Sequence, residues 1–412
     1  MQQNLTPALQ ALKLTEANLH AALQAAETPI LALRGEIQAG KFPAFTSALT
    51  LPEATARAVA GWGETYRHVL ILGMGGSSLG GRLVSTFANP TGLRGPKLHF
   101  LDHLCPVAMA DLIAHLPLEQ TAMVIISKSG TTLETVSQMD VLAAAFAAKK
   151  IALQGRCVVV TEPAGPQGAN TLRQWAEGLG LPVLPHHPLL GGRYSVFAET
   201  GTIPALLCGV DVAALHSGAR EVMEAWLENP LGSAPALGAA LHAAALAKGK
   251  TMHLLYAYGE PLRTLPAWHE QLWAESLGKD GRGTTPIGAS GPASQHSAQQ
   301  LYLAGPADKL TTLVIPRSHN RGPKRADGIA LGTLQLAMGQ GTQQAFHNRE
   351  HPTRVFEVDD TSAHQLGQLL MHLLLETVLT AQLWQLNPFN QPAVEESKKT
   401  SLAALKSLQA MA

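Results

Sequence analysis

Val124–Thr135 reads V-I-I-S-K-S-G-T-T-L-E-T, and the change of character inside it decides the fold. Val124, Ile125 and Ile126 close an unbroken apolar run, too short for a helix and rich in β-branched residues, which predicts a buried strand. Ser127, Ser129, Thr131 and Thr132 follow, with Lys128 and Gly130 among them, and a helical pattern then runs from about Thr132 to Lys150. A strand feeding a hydroxyl-rich turn onto a helix N-terminus offers unpaired backbone N–H groups, a positive dipole end and several O–H donors. A phosphate dianion needs donors of that kind. The same residues also suit helix capping, because Thr131 and Glu134 fit the S/T-x-x-E capping box. Taken alone, the stretch leaves the two readings level.

The surroundings repeat the strand-then-helix rhythm. His68–Leu72, Lys97–Leu101, Arg156–Val160 and Leu181–Leu184 join Thr121–Ile126 as predicted strands, with helical intervals between most of them. Residues 205–250 are rich in Ala and Leu and helical; the alternation then resumes with strands at Met252–Tyr256, Thr284–Ile287, Leu310–Ile315 and Arg354–Val358. Such alternation predicts parallel sheets covered by helices. The expected organisation is a helical segment over 1–55, a first α/β unit over 56–205, a helical connector over 206–250, a second α/β unit over 251–386 and a helical tail over 387–412.

The bulk composition excludes several classes. Lys+Arg and Asp+Glu are both 30, so the formal net charge is zero, and with 5% aromatics and no long basic run no sequence-independent grip on nucleic acid is expected. The richest basic stretch, Arg317–Arg325, is broken by Gly322 and Pro323 and reads as a solvated loop. Cys105, Cys157 and Cys208 stand far apart, which suits a reducing cytoplasm and argues against disulfides and a zinc site. The N-terminal residues lack the pattern of a signal peptide, and Leu366–Trp384, the most apolar helical segment, carries Gln368, His372, Glu376 and Gln382 and reads as a core helix rather than a membrane span.

Other stretches could carry chemistry. Gly73-Met74-Gly75-Gly76-Ser77-Ser78-Leu79-Gly80-Gly81 follows the first strand, where glycines let the backbone approach a ligand or make a tight turn. A dinucleotide site needs G-x-G-x-x-G; Ser78 stands at its third glycine, although Asp102 could mimic the ribose-binding acid. Gly191-Gly192-Arg193-Tyr194-Ser195 places an arginine on a turn, either solvated or aimed at developing negative charge. Leu265–Asp280 reads as a helix with Pro266 in its first turn and Gly278 or Gly281 as its C-terminal cap. Gln271 and Glu275 are four apart and share a face. A buried Glu275 near the helix C-terminus would act as a base near neutrality; the competing picture is an exposed ion pair with Lys279, also four residues on.

In this order the pieces resemble the glucose-6-phosphate isomerase family, whose two lobes have the sugar isomerase fold. The resemblance runs from about residue 65 to 400: Gly73–Gly80 matches the first glycine loop and Ser127–Thr135 the phosphate loop. Leu190–Ser195 matches G-G-R-[FY]-[ST], Glu275–Lys279 matches E-S-x-G-K, and Gln295–Leu301 matches Q-H-S-x-x-Q-L. Phe389–Lys398 matches F-[DN]-Q-x-G-V-E-x-x-K except at Ala393, which replaces a glycine and follows Pro392. The resemblance implies a hexose 6-phosphate held by Ser127, Lys128, Ser129 and Thr132, with Gly76, Ser77, Gln271 and Gln391 along the sugar and Glu134 as a buttress. It implies that His296, assisted by Lys398, opens the ring, that Glu275 moves a proton between C2 and C1 through a cis-enediol, and that Arg193 stabilises its charge. It implies no metal or redox cofactor, and a homodimer in which His296 crosses to the neighbouring subunit. Gly130 stands where larger members carry an aromatic, and mannose 6-phosphate is a further possible substrate. The rival expectations are a non-catalytic sugar-phosphate-binding module and a nucleotide-dependent oxidoreductase.

Overall fold

Short β-branched runs separated by helices can pair only in parallel, since each helix carries the chain back to the start of the next strand. The computed structural model describes residues 1–50, 53–163 and 170–411, and these form two five-stranded sheets. The first holds β2 (His68–Leu72), β3 (Lys97–Leu101), β4 (Thr121–Ile126), β5 (Cys157–Thr161) and β6 (Val183–Pro185), all parallel, in the order β3-β2-β4-β5-β6. The second holds β1 (Gln2–Asn4), β7 (Met252–Tyr258), β8 (Thr285–Gly291), β9 (Lys309–Pro316) and β10 (Thr353–Val358), in the order β1-β10-β9-β7-β8. The expected α/β class with mainly parallel sheets is present. Three of the predicted strands coincide with the observed ones to the residue, and β8 runs on to Gly291 beyond its expected end.

Every residue of β4 is buried, which explains why its sequence from Ala122 to Ile126 is continuously apolar rather than alternating. Leu70, Leu72, Met123 and Ile125 pack on one face with Met139, Leu142 and Phe146 of the Leu133–Ala148 helix. Val69, Ile71, Val124 and Ile126 pack on the other with Ile203 and Leu207.

The N-terminal residues depart from the expectation of an all-helical start. Gln2–Asn4 forms β1, antiparallel to β10 (Gln3 opposite Phe356), and the Met1 ammonium donates to Gln368 Oε1 at 3.0 Å. Three polar residues carry no strand signal of their own; the free edge of β10 supplies the pairing.

In each sheet the strand that opens the parallel series has the next strand on one side and the one after it on the other: β3 and β4 flank β2, and β8 and β9 flank β7. Such switch points open a crevice beyond the carboxyl ends of the strands. The Gly73–Ser78 loop leaves β2 and the Ser127–Thr132 loop leaves β4, neighbours in register at Leu72 and Ile125, so both loops emerge side by side.

The Ala363–Leu383 helix is long and apolar enough to cross a membrane by length and composition, but 89% of its most apolar window is buried inside the fold. Its polar residues build a charged core. The Glu376 carboxylate accepts from Arg354 at 2.5 and 2.6 Å, with His372 Nε2 and His242 Nε2 each 3.1 Å away. Arg354 Nε donates to Thr312 Oγ1 at 2.8 Å, which also meets His253 Nε2 at 2.9 Å. His253 in turn packs on His269 and Trp273, with ring centroids 4.9 and 4.7 Å away. Burial pushes His242 down to about 4 and His269 down to about 3, and also lowers His253 and His372. Burial alone would raise Glu376, but Arg354 and the two histidines outweigh it and hold the carboxyl well below its ordinary range.

Candidate active site

Glycine is needed at Gly76 because two turns lie back to back there. A Cβ on Gly76 would sit 2.1 Å from the Gly192 carbonyl carbon and 2.4 Å from Arg193 N. The first glycine loop is therefore a seat for the Gly192–Tyr194 turn, and it fixes where Arg193 starts. Gly75, at φ +51°, has the Gln271 amide 2.8 Å from the position a Cβ would take. Gly76, Ser77, Arg193 and Gln271 thus converge from three segments.

Arg193 is not solvated: its side chain is 1% exposed. Its Nε donates to Ser276 Oγ at 2.9 Å; Nη1 donates to Glu275 Oε2 and Gln391 Oε1, both at 3.0 Å; Nη2 donates to the Pro388 and Asn390 carbonyls at 2.5 and 3.1 Å. All of the donors a guanidinium owns are used, a planar fork that lysine cannot reproduce. Tyr194 braces the arrangement, its hydroxyl 2.7 Å from Ser276 Oγ and donating to the Pro388 carbonyl at 3.0 Å. Nothing in the sequence singles out Ser276, Tyr194 or the Pro388 carbonyl beyond their place inside or beside motifs.

The Leu265–Leu277 helix carries Gln271 and Glu275 on one face, as its spacing predicts, and ends at Gly278 rather than Gly281. Gln271 Nε2 donates to Glu275 Oε1 at 3.0 Å, so both carboxylate oxygens have a donor. The side chain is 32% exposed. The alternative pairing with Lys279 is not formed: Lys279 Nζ donates to the Asn387 carbonyl instead. Glu275, Lys279, Asn390 and Gln391 line a cavity of about 750 Å³, with Pro392 and Ala393 on its wall. A second cavity of about 660 Å³, walled by Thr46, Thr55, His186 and Glu199, contains none of the predicted site residues.

The Ser127–Thr132 turn does not cap its helix in the way the sequence allows. Thr132 is the N-cap of the Leu133–Ala148 helix and makes no side-chain cap bond, so the Thr131–Glu134 capping box is not formed. Ser127 and Thr132 hydroxyls meet at 2.9 Å, and Thr131 Oγ1 donates to Ser129 Oγ at 3.1 Å. The first-turn N–H groups of Leu133, Glu134 and Thr135 find no acceptor among the described residues. Lys128 is half-buried, and burial lowers its pKa while Glu162 pulls it back. Gly130 has φ +65°, and Asn170 Oδ1 lies 1.7 Å from where its Cβ would be, so an aromatic side chain cannot stand here without moving Asn170. Asp102 is bound by Arg82 at 2.7 Å and Ser78 at 3.4 Å, which occupies the acid that a nucleotide ribose would need.

Two predicted residues lie apart from this cluster. His296 ends the Ala293–His296 turn, is itself exposed, and makes no side-chain hydrogen bond among the described residues. Lys398, on the exposed Val394–Met411 helix, donates to Glu395 at 2.7 Å and is 62% exposed. Within one chain, neither forms a hydrogen bond or ion pair with Glu275 or Arg193 among the described residues.

The chain is similar to known proteins. Residues 19–306 fit the family model described as phosphoglucose isomerase. A glucose-6-phosphate isomerase of Rubrobacter xylanophilus is 34% identical over 81% of this chain and 81% of its own length. One of Carboxydothermus hydrogenoformans is 31% identical over 97% of this chain and 92% of its own. Among solved structures, a protein of Thermus thermophilus described only as hypothetical superposes with a TM-score of 0.84 at 31% identity, covering 98% of this chain and 99% of that one. A glucose-6-phosphate isomerase of Chlamydia trachomatis shares the fold at a TM-score of 0.75 and 21% identity, over 88% of this chain and 74% of that one. With a family model spanning most of its length and relatives above 30% identity, the chain belongs to the phosphoglucose isomerase family.

Proposed function

We propose that this chain interconverts glucose 6-phosphate and fructose 6-phosphate by ring opening and proton transfer through a cis-enediol. The observation that carries the reading is Glu275, held between the Arg193 guanidinium and the Gln271 amide at the edge of an open cavity. Moving a proton between adjacent carbons needs one base that reaches both, and a carboxylate fixed by two donors meets that demand. Glu275 takes the proton from C2 of the open-chain aldose and returns it to C1, a service worth on the order of 10²–10⁴ in rate. Arg193, whose Nη1 meets Oε2 of that carboxylate, places its positive charge beside the reacting carbons and supports the enediolate. The phosphate is gripped by Ser127, Ser129, Thr132 and the N–H groups that follow Lys128, with Gly76, Ser77 and Gln391 along the sugar. The reaction asks for no redox or metal cofactor. In metabolism it would serve glycolysis and gluconeogenesis in the cytoplasm.

Ring opening needs a group at the ring oxygen, and here we infer a homodimer that brings His296 from the partner. Supporting this, His296 is exposed, and Leu402, Leu405 and Leu408 leave an apolar stripe uncovered on the last helix. Lys398 on that helix assists the same step. A binding module without turnover would leave the Glu275–Arg193 pair without a task.

Glu275→Gln, assayed with fructose 6-phosphate in a coupled assay, tests the reading. Turnover is expected to fall nearly to nothing with sugar-phosphate binding retained; an unchanged kcat removes Glu275 from its role. Binding of fructose 6-phosphate by the unsubstituted chain without turnover favours the module.

A further inference from the structure

The Asn387–Gln391 segment carries no regular structure, yet its carbonyls and one side chain set the geometry around Arg193. Something must hold it there. Arg193 and Tyr194 grip it from inside, and the stacked rings of Phe389 and Phe42, 4.4 Å apart, tie its middle to the N-terminal region. From the cavity side the grip is Lys279, whose Nζ donates to the Asn387 carbonyl, while Arg282 Nη1 holds the Trp384 carbonyl at 2.6 Å just upstream. Lys279 lies one turn beyond Glu275, lines the same cavity, and has no ion-pair partner among the described residues because Glu275 is taken by Arg193.

We propose that Lys279 is a positioning residue of the isomerase site: by clamping the Asn387 carbonyl it keeps Gln391 and the Pro388 and Asn390 carbonyls in place around Arg193, and so keeps Arg193 on Glu275. The inference rests on the isomerase reading for its kinetic consequence. The clamp is a charge-assisted hydrogen bond, about twice as strong as a neutral one. Burial, then Arg193, push Lys279 down to about 8, with Asp280 and Glu275 acting the other way; the Asn387–Gln391 segment brings no titratable side chain. The ammonium therefore loses its charge as pH rises through about 8, and the clamp weakens on the alkaline side.

The test compares Lys279→Met and Lys279→Arg with the unsubstituted chain. Steady-state kinetics with fructose 6-phosphate are read across pH, alongside amide exchange of the Asn387–Gln391 peptides by mass spectrometry. Displacing a site element by about an ångström costs on the order of 10²-fold in rate. Lys279→Met is expected to lose roughly tenfold to a hundredfold in kcat, with KM changed little because the phosphate turn is untouched. Its Asn387–Gln391 amides should exchange faster. Lys279→Arg should restore kcat, and its alkaline limb should move to higher pH. A Lys279→Met variant with full kcat, or with unchanged exchange at 387–391, overturns the proposal. So does a variant that loses only KM, since that makes Lys279 a substrate-binding cation. If the unsubstituted chain fails to turn over the sugar, the isomerase reading fails, while the exchange comparison still decides the clamp.

Discussion

Acid should unfold this protein earlier than its carboxylates can explain. His242, His253, His269 and His372 are 1–2% exposed around the Glu376–Arg354 pair, with pKa values depressed by burial. In the unfolded chain a histidine titrates near 6.5. Between that pH and its folded value the unfolded chain binds the extra proton, so stability falls as pH drops through 6.5, and the loss levels off only below the folded pKa. For His242 at about 4 and His269 at about 3, moving from about pH 7 to about pH 5 removes ~2 kcal/mol each, ~4 together. His253 and His372 act in the same direction. Glu376, whose carboxyl is depressed, contributes stability that is lost only below the ordinary range of a glutamate, about 4.3, so it is silent in this window. Against a total of about 5–15 kcal/mol the histidine term is large. Urea unfolding at about pH 7, 6 and 5, followed by tryptophan fluorescence (Trp273 packs on three of the four rings), gives the stability at each pH. A His242→Gln/His269→Leu double variant should keep ~4 kcal/mol less of the pH dependence, whatever its stability at neutrality, because the slope is the readout. A flat profile between pH 7 and 5, or a double variant with the full slope, refutes the reasoning.

Two further outcomes follow from the site. Gly76→Ala must push a methyl into the Gly192 backbone; it should cost about 1–3 kcal/mol in denaturant unfolding and lower kcat through Arg193, whereas Gly35→Ala, with nothing within 4 Å of its Cβ position, should be neutral or stabilising. Arg193→Lys cannot serve five acceptors; kcat should fall by roughly 10²–10³ with a much smaller change in KM, and a loss under tenfold would show that the fork is not what the reaction uses.

The β4 strand was legible because burial on two faces forces an unbroken apolar run, too short for a helix and bounded by hydroxyls and glycine, whereas the half-exposed β3 was legible from its place in the strand–helix alternation. The helix carrying Gln271 and Glu275 was legible from its period, since side chains four apart share a face. At Glu275 the same rule left a second pairing open. Spacing offers Lys279 as its partner, but a lysine on a flexible stem goes where a carbonyl is fixed, and the Asn387 carbonyl took it. Arg193 won because its donors were already immobilised by Ser276 and the Pro388 and Asn390 carbonyls.

Backbone acceptors explain much of what sequence reading missed. Pro388 and Asn390 contribute carbonyl oxygens, which every residue has, so neither identity nor spacing marks them. Asn170 is a similar case. Its side chain fills the space beside Gly130, closes the Ser127–Thr132 turn from forty positions away in the chain, and donates to Thr161 Oγ1 at 2.7 Å. Gly130 by itself marks only a turn; the structure makes it half of a coupled pair, since φ +65° and the Asn170 amide each oppose a side chain there. It follows that any side chain at 130 requires a different residue or backbone path at 170. Shortening Asn170 removes the clash but not the left-handed strain, so Gly130→Phe should lower the denaturant midpoint less in an Asn170→Ala background than in the unsubstituted chain, while remaining destabilising in both; equal losses in the two backgrounds refute the coupling.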